Sequence, residues 1–364
     1  MRVVVIGAGI IGLSIAYNLA KQGAEVTVIE NQYPGSGLSG RAIGGVHSQW
    51  NNKHDIELAK QSRRILSRLS TELHFFIPFR RDGYMMLAAN PEEMTELEKN
   101  AQLQRSLRID VQNLSAEQIG KRYPFLETSG FVGGTFSKGD GAVHPFSVVF
   151  GYWYGFEQHQ GKMMKATAAT GLTAKEKRIE CVETNQGKIK ADAFVVAAGS
   201  GTRSLLKSVD LDVPTTFVRH EMLATEPLKF FLKPMIQLNP KGVLINQSLR
   251  GEIICDMSRK DDGETRGPVS TLEFLEDAAT ELTSLIPATR KVKVLREWAG
   301  VLETTVDSKP IVGSLGLENL WVAFADSGKG IMFAPALGEI LSKAILTGQV
   351  EQGSERLLAT PPLS

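Results

Sequence analysis

Hydrophobic and polar positions change their period twice over the first thirty residues. Val3 to Ile6 is a continuous apolar run, as a parallel strand buried on both faces requires. A glycine-rich turn, a helical pattern through Lys21 and a second apolar run that ends at Glu30 follow it. This order predicts a strand, a turn, a helix and a second strand at the amino terminus.

The turn reads Gly7-Ala8-Gly9-Ile10-Ile11-Gly12. At this spacing the first glycine permits a tight turn, the second lets the backbone approach a pyrophosphate, and the third lets the helix pack closely on the strand. The pyrophosphate would lie at the helix N-terminus, where free N–H groups and the helix dipole favour an anion. Glu30 is placed to bind a ribose 2′-OH, which favours FAD or NAD over NADP.

A signal peptide or membrane span over Val3 to Ala20 is the competing interpretation. Three glycines interrupt this run, and Asn18 and Lys21 close it, so we favour the dinucleotide unit. We expect no later run to be long and apolar enough to cross a bilayer.

The rest of the chain alternates between predicted helices and predicted strands. We expect helices over 55–73, 91–106, 146–160, 271–285 and 334–346, and a capping box at 115–118. We expect strands over 83–88, 217–225, 242–246, 252–257, 291–297 and 320–325, a strand from 193 that breaks into small residues, and a hairpin turn at 185–187. His144 precedes a proline and is expected at a strand-to-helix corner. A second strand, glycine-rich loop and helix near the far end indicates one domain built from both chain ends, with a mainly antiparallel region over 213–303.

Composition limits the classes of partner. A chain of 364 residues predicts two domains, and 41 basic against 40 acidic residues predict neither a nucleic-acid nor an anionic-membrane partner. Cys181 and Cys255 form no CxxC motif, which argues against a redox disulfide and a cysteine-based zinc site, and we expect no metal. Structural thiols in strands indicate a reducing compartment, so we expect a cytoplasmic protein.

Further motifs follow in a fixed order over nearly the whole chain. They are Gly44-Gly45, Gly83-Tyr84, Val143-His144-Pro145, Val196-Ala197-Ala198-Gly199, Asp307-Ser308-Lys309-Pro310-Ile311-Val312-Gly313 and Gly328-Lys329-Gly330. Together with the first turn, this order resembles the FAD-dependent amino-acid and amine oxidoreductases of the D-amino-acid oxidase type. Within that family, 40–50, 219–221 and 298–307 look most like the β subunits of heteromeric sarcosine oxidase and archaeal dye-linked L-proline dehydrogenase.

The resemblance implies an α/β fold with two domains. An FAD-binding Rossmann-like domain would take residues 1–80, 140–210 and 305–364, and an α+β substrate domain with a mixed or antiparallel sheet would take 81–139 and 211–304. The expected FAD contacts are Gly7, Ala8, Gly9, Ile10, Ile11, Gly12, Glu30, Asn31, Ser39, Arg41, Ala42, Gly44, Gly45, Val46, Ala197, Ala198, Gly199, Asp307, Pro310, Gly328, Lys329, Gly330, Ile331 and Met332. Gly300 stands where monomeric sarcosine oxidase has its flavin-linking cysteine, and no histidine lies between Asn31 and Val46, so FAD is expected to bind non-covalently.

Five polar residues of the matched motifs are candidates for contact with flavin or substrate: His47, Gln49, Tyr84, His220 and Lys329. A substrate amine must be unprotonated before hydride leaves its α-carbon, which requires a base or a dry pocket. His47 and His220 are equally well interpreted as structural residues, whereas for Tyr84 we favour strand packing with its hydroxyl bonded. Lys329 is the best candidate for a cation at the N1–C2=O edge of the flavin, and a solvated loop lysine is its alternative.

Residues that act in the relatives are replaced at several positions. Leu302-Glu303 stands where glycine oxidase relatives have a carboxylate-binding arginine, and Met332 stands where monomeric sarcosine oxidase has a carboxylate-binding lysine. The β-subunit pattern has arginine at His47 and histidine at Lys329. The residue that binds a substrate carboxylate therefore stays open.

Three functions stay open on the sequence. We favour an FAD-dependent oxidase or dehydrogenase that forms an imine from a small-molecule secondary amine or amino acid, such as sarcosine or proline. A flavin-carrying subunit that passes electrons to a partner is the second. An NAD-dependent dehydrogenase is the third, and the return of cofactor motifs near residues 307 and 328 argues against it. Neither the substrate nor the electron acceptor follows from the sequence.

Overall fold

The computed structural model describes residues 1–213, 215–239, 241–259, 267–305, 310–324 and 328–348. Its strands are β1 (Arg2–Ile6), β2 (Glu25–Ile29), β3 (Gly45–Val46), β4 (Phe79–Arg80), β5 (Tyr84–Ala88), β6 (Gln112–Ser115), β7 (Gly133–Ser137), β8 (Gly141–Val143), β9 (Lys162–Met164), β10 (Ala169–Lys175), β11 (Arg178–Thr184), β12 (Gly187–Ile189), β13 (Ala193–Val196), β14 (Thr215–Thr225), β15 (Met235–Asn239), β16 (Val243–Gln247), β17 (Ile253–Arg259), β18 (Val294–Thr305), β19 (Ile311–Ser314) and β20 (Leu320–Phe324). Its helices are α1 (Ile10–Lys21), α2 (Lys53–Glu72), α3 (Pro91–Ser106), α4 (Ala116–Arg122), α5 (Pro145–Gln158), α6 (Thr202–Lys207), α7 (Leu272–Leu285) and α8 (Gly330–Thr347).

The first large sheet has six strands in the order β19-β20-β13-β1-β2-β9. Its neighbours are parallel except β19 and β20, which are antiparallel. The central strands β1 and β13 are apolar and buried, because helices α1, α2, α5 and α8 cover one face while β10–β12 and α6 cover the other. The predicted Rossmann-like sheet with strands from both chain ends is confirmed, while the exact domain bounds stay a prediction.

Helix α8 begins four residues before its predicted start at 334, and Pro335 lies inside it. The sequence pattern favoured a first turn at Pro335, because proline is tolerated there and has no N–H for the helix interior. Ser62 of α2 compensates for the interruption. Its hydroxyl donates to the Phe333 carbonyl at 3.3 Å and accepts from the Ala336 N–H at 3.1 Å.

Helix α8 also passes the length and hydropathy test for a membrane span, so the expectation that no later run would do so is wrong. However, 72% of its residues are buried inside the fold, where it packs against α1 and α2. Such burial is typical of a core helix, and its largely apolar sequence follows from the cover of neighbouring elements over most of its surface.

The second large sheet has eight strands in the order β18-β14-β17-β16-β15-β5-β7-β6. All neighbours are antiparallel except β15 and β5. One face packs on α7 through Phe274, Ala278 and Leu282. Strand β18 continues to Thr305, beyond its predicted end at 297, because β14 pairs with it along its whole length. Strand β15 is missing from the sequence prediction.

Several local predictions are confirmed. Thr184 and Gly187 pair across the predicted hairpin, and Ser115 and Gln118 form the capping box. His144 joins β8 to α5 with an extended backbone. Cys181 and Cys255 are free, buried and placed in β11 and β17.

Candidate active site

The glycine turn after β1 is packed too tightly for side chains at two of its positions. Gly7 has φ +103°, and a Cβ there would lie 2.5 Å from the Ala197 carbonyl oxygen. A Cβ on Gly12 would lie 2.0 Å from the Gly7 carbonyl oxygen. Gly9 is the N-cap of α1. The turn therefore holds the start of α1 against the carboxyl ends of β1 and β13, the edge at which doubly wound sheets bind ligands.

Two side chains fix this turn from outside. The Glu30 carboxylate accepts the Ala8 N–H at 2.9 Å, and Ser39 Oγ accepts the Ile10 N–H at 2.9 Å. Glu30 also accepts the Gln32 N–H at 2.9 Å through its other oxygen. Each carboxylate oxygen can accept a second hydrogen bond, so these contacts leave Glu30 able to bind a ribose hydroxyl.

A cavity of about 2030 Å³ extends from this turn to the eight-stranded sheet. Small-molecule sites usually measure about 300–1,000 Å³, so this cavity has room for a dinucleotide and a substrate together. The predicted cofactor residues that line it are Gly7, Gly9, Ile10, Ile11, Glu30, Asn31, Ser39, Arg41, Ala42, Gly44, Gly45, Ala197, Ala198, Gly199, Pro310, Gly328, Lys329, Gly330, Ile331 and Met332. Ala8, Gly12 and Val46 are buried behind the wall, and Asp307 lies outside the described residues.

The guanidinium of Arg41 is directed at the protein backbone. Its Nη1 donates to the Ala299 carbonyl at 2.9 Å, and the Trp298 indole N–H donates to the Arg41 carbonyl at 3.0 Å. Gly300 makes room for this loop, because a Cβ there would lie 2.9 Å from Leu38 Cδ2. Arg41 therefore ties the loop before β3 to strand β18.

Lys329 is buried at the N-cap position of α8. Its Nζ lies 3.3 Å from Asp55 Oδ2 and 4.8 Å from the centre of the Trp50 ring. Only 8% of the residue is exposed, so the alternative of a solvated loop lysine is wrong. Burial raises the pKa of Asp55, but bonds from His54 and the charge of Lys329 outweigh it and keep that pKa below its ordinary value.

His47 is enclosed between two aromatic rings. Its ring centre lies 4.5 Å from that of Trp50 and 4.4 Å from that of Tyr84. Burial, and secondly the charge of Lys329, lower the pKa of His47 to about 3. His47 is therefore a neutral imidazole at physiological pH.

Tyr84 and Gln49 are tied to neighbouring strands. The Tyr84 hydroxyl donates to Gln237 Oε1 at 2.7 Å, and Gln49 Nε2 donates to the Tyr84 carbonyl at 3.0 Å. Burial, followed by the charges of Asp140 and Asp256, raises the pKa of Tyr84. Tyr84 therefore stays protonated, and its packing on β5 with a bonded hydroxyl is the arrangement that the sequence favoured.

His220 faces the cavity from β14 in the eight-stranded sheet. Its Nδ1 lies 3.0 Å from Asp256 Oδ1 of the adjacent strand β17. Burial lowers the pKa of His220, but the charge and hydrogen bond of Asp256 outweigh burial and raise it above its ordinary value. All five predicted catalytic candidates thus line one cavity, and three of them, His47, Gln49 and Lys329, contact Trp50 or Tyr84.

The cavity wall contains buried polar atoms that need a partner. Within the described part of the chain, His47 Nδ1, Gln49 Oε1 and Trp50 Nε1 are buried without a hydrogen bond. Buried polar groups in native proteins are almost always bonded, so these atoms mark the wall of a ligand site. The residues present therefore fit FAD, with the glycine turn for its pyrophosphate and this polar group at the other end. Among the residues that the structure describes, no cluster of three or more His, Cys, Asp or Glu residues could bind a metal ion.

The sequence interpretation missed three residues that set the chemistry of the site. Asp55 was interpreted only as a helix start, and Gln237 and Asp256 were not selected at all. They lie 274, 153 and 36 positions from their partners Lys329, Tyr84 and His220. No local pattern marks such pairs, because only the folded sheet and helix bring them together.

The fold and the site define a flavoprotein in which both chain ends build the cofactor domain. The chain belongs to the family described as FAD dependent oxidoreductase, whose model matches residues 2–344. The predicted family, the oxidoreductase class and FAD as cofactor are therefore confirmed.

Named relatives cover almost the whole chain. It is 24% identical to the sarcosine oxidase subunit beta of Rhizobium meliloti (95% of this chain, 84% of that protein) and 27% identical to the glycine oxidase of Bacillus licheniformis (96% and 94%). Among solved structures, L-proline dehydrogenase from P. horikoshii is 28% identical with a TM-score of 0.91 (98% and 96%).

Proposed function

We propose that this chain uses FAD to remove hydride from the C–N unit of a small secondary amine or amino acid, sarcosine- or proline-like, giving an imine. The general activity, FAD-dependent oxidation of an amine or amino acid, is the one that the named relatives share. The single observation that carries the proposal is the continuous cavity, which joins the dinucleotide turn to a wall with two histidines.

The protein's part in this reaction is to hold and desolvate the substrate. Bound FAD supplies the hydride acceptor. His47 is neutral, and its aromatic neighbours exclude water, so a substrate amine beside it loses the solvation that favours its charged form. Lys329, at the start of α8, adds a positive charge next to a helix N-terminus, which favours the anionic product of flavin reduction.

Anaerobic bleaching of the flavin tests the proposal. The purified protein is mixed with a panel of amines and amino acids, with sarcosine, proline, N,N-dimethylglycine and glycine included. The 2-hydroxy acids of matched size and NADH serve as controls. We expect loss of the flavin absorbance with at least one secondary amine and with none of the controls. Failure of every amine and amino acid to reduce the flavin, with or without reduction by NADH or a hydroxy acid, contradicts the proposal.

Acid precipitation tests the mode of flavin binding. We propose that FAD is held by contacts alone, so the yellow chromophore should move into the supernatant as FAD. Colour that stays with the precipitate contradicts this.

The electron acceptor is proposed separately. The similarity to a protein named as a β subunit supports a partner subunit that receives the electrons. We expect the reduced chain to be reoxidised by an electron-accepting dye much faster than by air. Fast reoxidation by air with one hydrogen peroxide per substrate would instead support an oxidase that acts alone. A cytoplasmic location stays a prediction.

A further inference from the structure

We propose that His220 and Asp256 act as a pair, in which His220 Nε2 accepts the proton of the substrate ammonium and Asp256 positions the His220 ring. This inference rests on the proposed function, because it names how the substrate amine becomes able to release hydride. In the step, the N–H bond of the ammonium breaks, the proton and Nε2 form a new N–H bond, and the amine keeps the electron pair. Hydride transfer to FAD then follows from the neutral amine.

The register of the sheet places this pair on the cavity wall. His220 pairs with Ser258, and Met222 pairs with Asp256, so His220 and Asp256 are diagonal neighbours on one face of β14 and β17. His220, Met222, Asp256 and Ser258 all line the cavity. His220 and Asp256, which we call the dyad, are therefore part of the sheet wall, and their relative position does not depend on a loop.

The strand that carries His220 is anchored from its other face. Arg219 and Glu221 are buried there and lie 3.0 Å apart. The Glu221 carboxylate also accepts the N–H of Thr271, the N-cap of α7, at 2.6 Å. Neighbouring residues of a strand point to opposite faces, so this anchor fixes the backbone of His220 without occupying its side chain.

The hydrogen bond to Asp256 decides which ring nitrogen is the base. An ionised carboxylate can only accept, so the Nδ1 of His220 must carry a hydrogen in the 3.0 Å contact. In the neutral ring the lone pair then belongs to Nε2, which is the nitrogen free to meet a cavity ligand. Asp256 also raises the pKa of His220, which makes the ring a stronger proton acceptor.

Other charged groups line the cavity, but Asp256 is the one that raises the pKa of His220. On β18, the residue opposite His220 is Gly300, which has no side chain, and Arg41 packs beside it. Asp256 is also near Tyr84, whose pKa it helps to raise. The remaining titratable or charged residues of the cavity wall are Glu30, His47, His54, Asp55 and Lys329.

The test compares Asp256→Asn with wild type in the holoenzyme. An asparagine keeps the size, but its amide can donate to Nδ1 and so place the hydrogen on Nε2, where it blocks proton acceptance. With the best amine from the bleaching panel, the rate constant of flavin reduction should fall by about 100-fold. The acid limb of its pH profile should move to lower pH, because the His220 pKa loses the support of Asp256.

A second variant, His220→Gln, and a spectroscopic signal of the ring tautomer test the proposal independently. His220→Gln should remove the acid limb that belongs to this ring and leave only the one that belongs to the substrate amine. In protein labelled with ¹⁵N-histidine, one ring should show a hydrogen on Nδ1 in wild type and lose this signature in Asp256→Asn. Asp212→Asn and His159→Gln, both at exposed positions outside the cavity wall, are the matched controls and should change neither readout.

The outcomes separate the two proposals. If no amine reduces the wild-type flavin at any pH, the proposed function and the dyad both fail. If an amine reduces it and Asp256→Asn keeps the wild-type pH profile and tautomer signal, only the dyad fails. Should Asp256→Asn not fold, an unchanged acid limb in His220→Gln overturns the dyad alone.

Discussion

His47 and His220 lie in the wall of one cavity, yet their protonation is shifted in opposite directions. Burial lowers the pKa of both. Lys329 adds to that effect at His47, whereas Asp256 reverses it at His220. The sign of the nearest charge therefore decides which histidine is permanently neutral and which can carry a proton.

The largest expected difference between the two histidines is the loss of stability that His47 causes at acid pH. The pKa of His47 is lowered to about 3 in the folded chain, whereas the unfolded chain binds this proton near pH 6.5. Stability is then lost as the pH falls from 6.5 towards 3, about 2 kcal/mol by pH 5. Urea unfolding at pH 7.5 and pH 5 should show this loss in wild type and a loss smaller by about that amount in His47→Phe. Equal losses in the two proteins, with His159→Gln as control, would show that His47 titrates normally.

The next effect tests the charge that lies beside His47. Lys329→Met should lower the reduction potential of the flavin by roughly 20–60 mV, about 1–3 kcal/mol, because a positive charge no longer favours reduced flavin. It should also raise the pKa of His47. Potentiometry of Lys329→Met and of Lys121→Met, an exposed lysine paired with Glu117, measures the difference. A wild-type potential in Lys329→Met would remove Lys329 from the flavin site.

Tyr84 packs against His47 and is near Asp256, so its hydroxyl tests whether the two parts of the wall depend on it. Tyr84→Phe removes the bond to Gln237 and should cost about 1 kcal/mol of unfolding free energy, equally at pH 6 and pH 8. The ring contact with His47 should remain. Urea titration against Tyr154→Phe, a partly exposed tyrosine, is the measurement, and a pH-dependent cost would show that the hydroxyl couples the histidines.

The smallest effect concerns His220 and has the opposite sign to that of His47. Its folded pKa is raised, so its contribution is full below the unfolded value of 6.5 and is lost as the pH rises through the folded pKa. His220→Gln should therefore cost more stability at pH 6 than at pH 8.5, by about 1 kcal/mol at most. The same cost at both pH values would mean that Asp256 does not hold a proton on this ring.

Local sequence patterns were sufficient to predict the dinucleotide half of the site. Gly12 packs on Gly7 and Glu30 binds Ala8, all within one strand, turn, helix and strand unit, so their spacing carries the information. Asp256 and Gln237 act across strands, and their partners follow only from the register of the sheet. A single sequence does not contain that register in any short window.

The missed strand β15 and the wrong start of α8 have the same origin. Prolines at 234 and 240 favour a loop, yet β15 forms because β5 and β16 offer partners on both sides. Pro335 favours a helix start, yet α8 begins earlier because Ser62 bonds the groups around the interruption. In both cases a distant residue overrides a local preference.

The packing of α1 against α8 has a consequence for the order of synthesis. A ribosome adds about 5–20 residues per second, so α1 waits roughly 15–65 s before its partner helix has emerged. During that time the part of the α1 surface that α8 covers is exposed, and β13 lacks β20 as its neighbour. The cavity wall that Gly328 to Met332 form is therefore completed only after most of the described chain has been made, so the cofactor site is among the last parts of the fold to form.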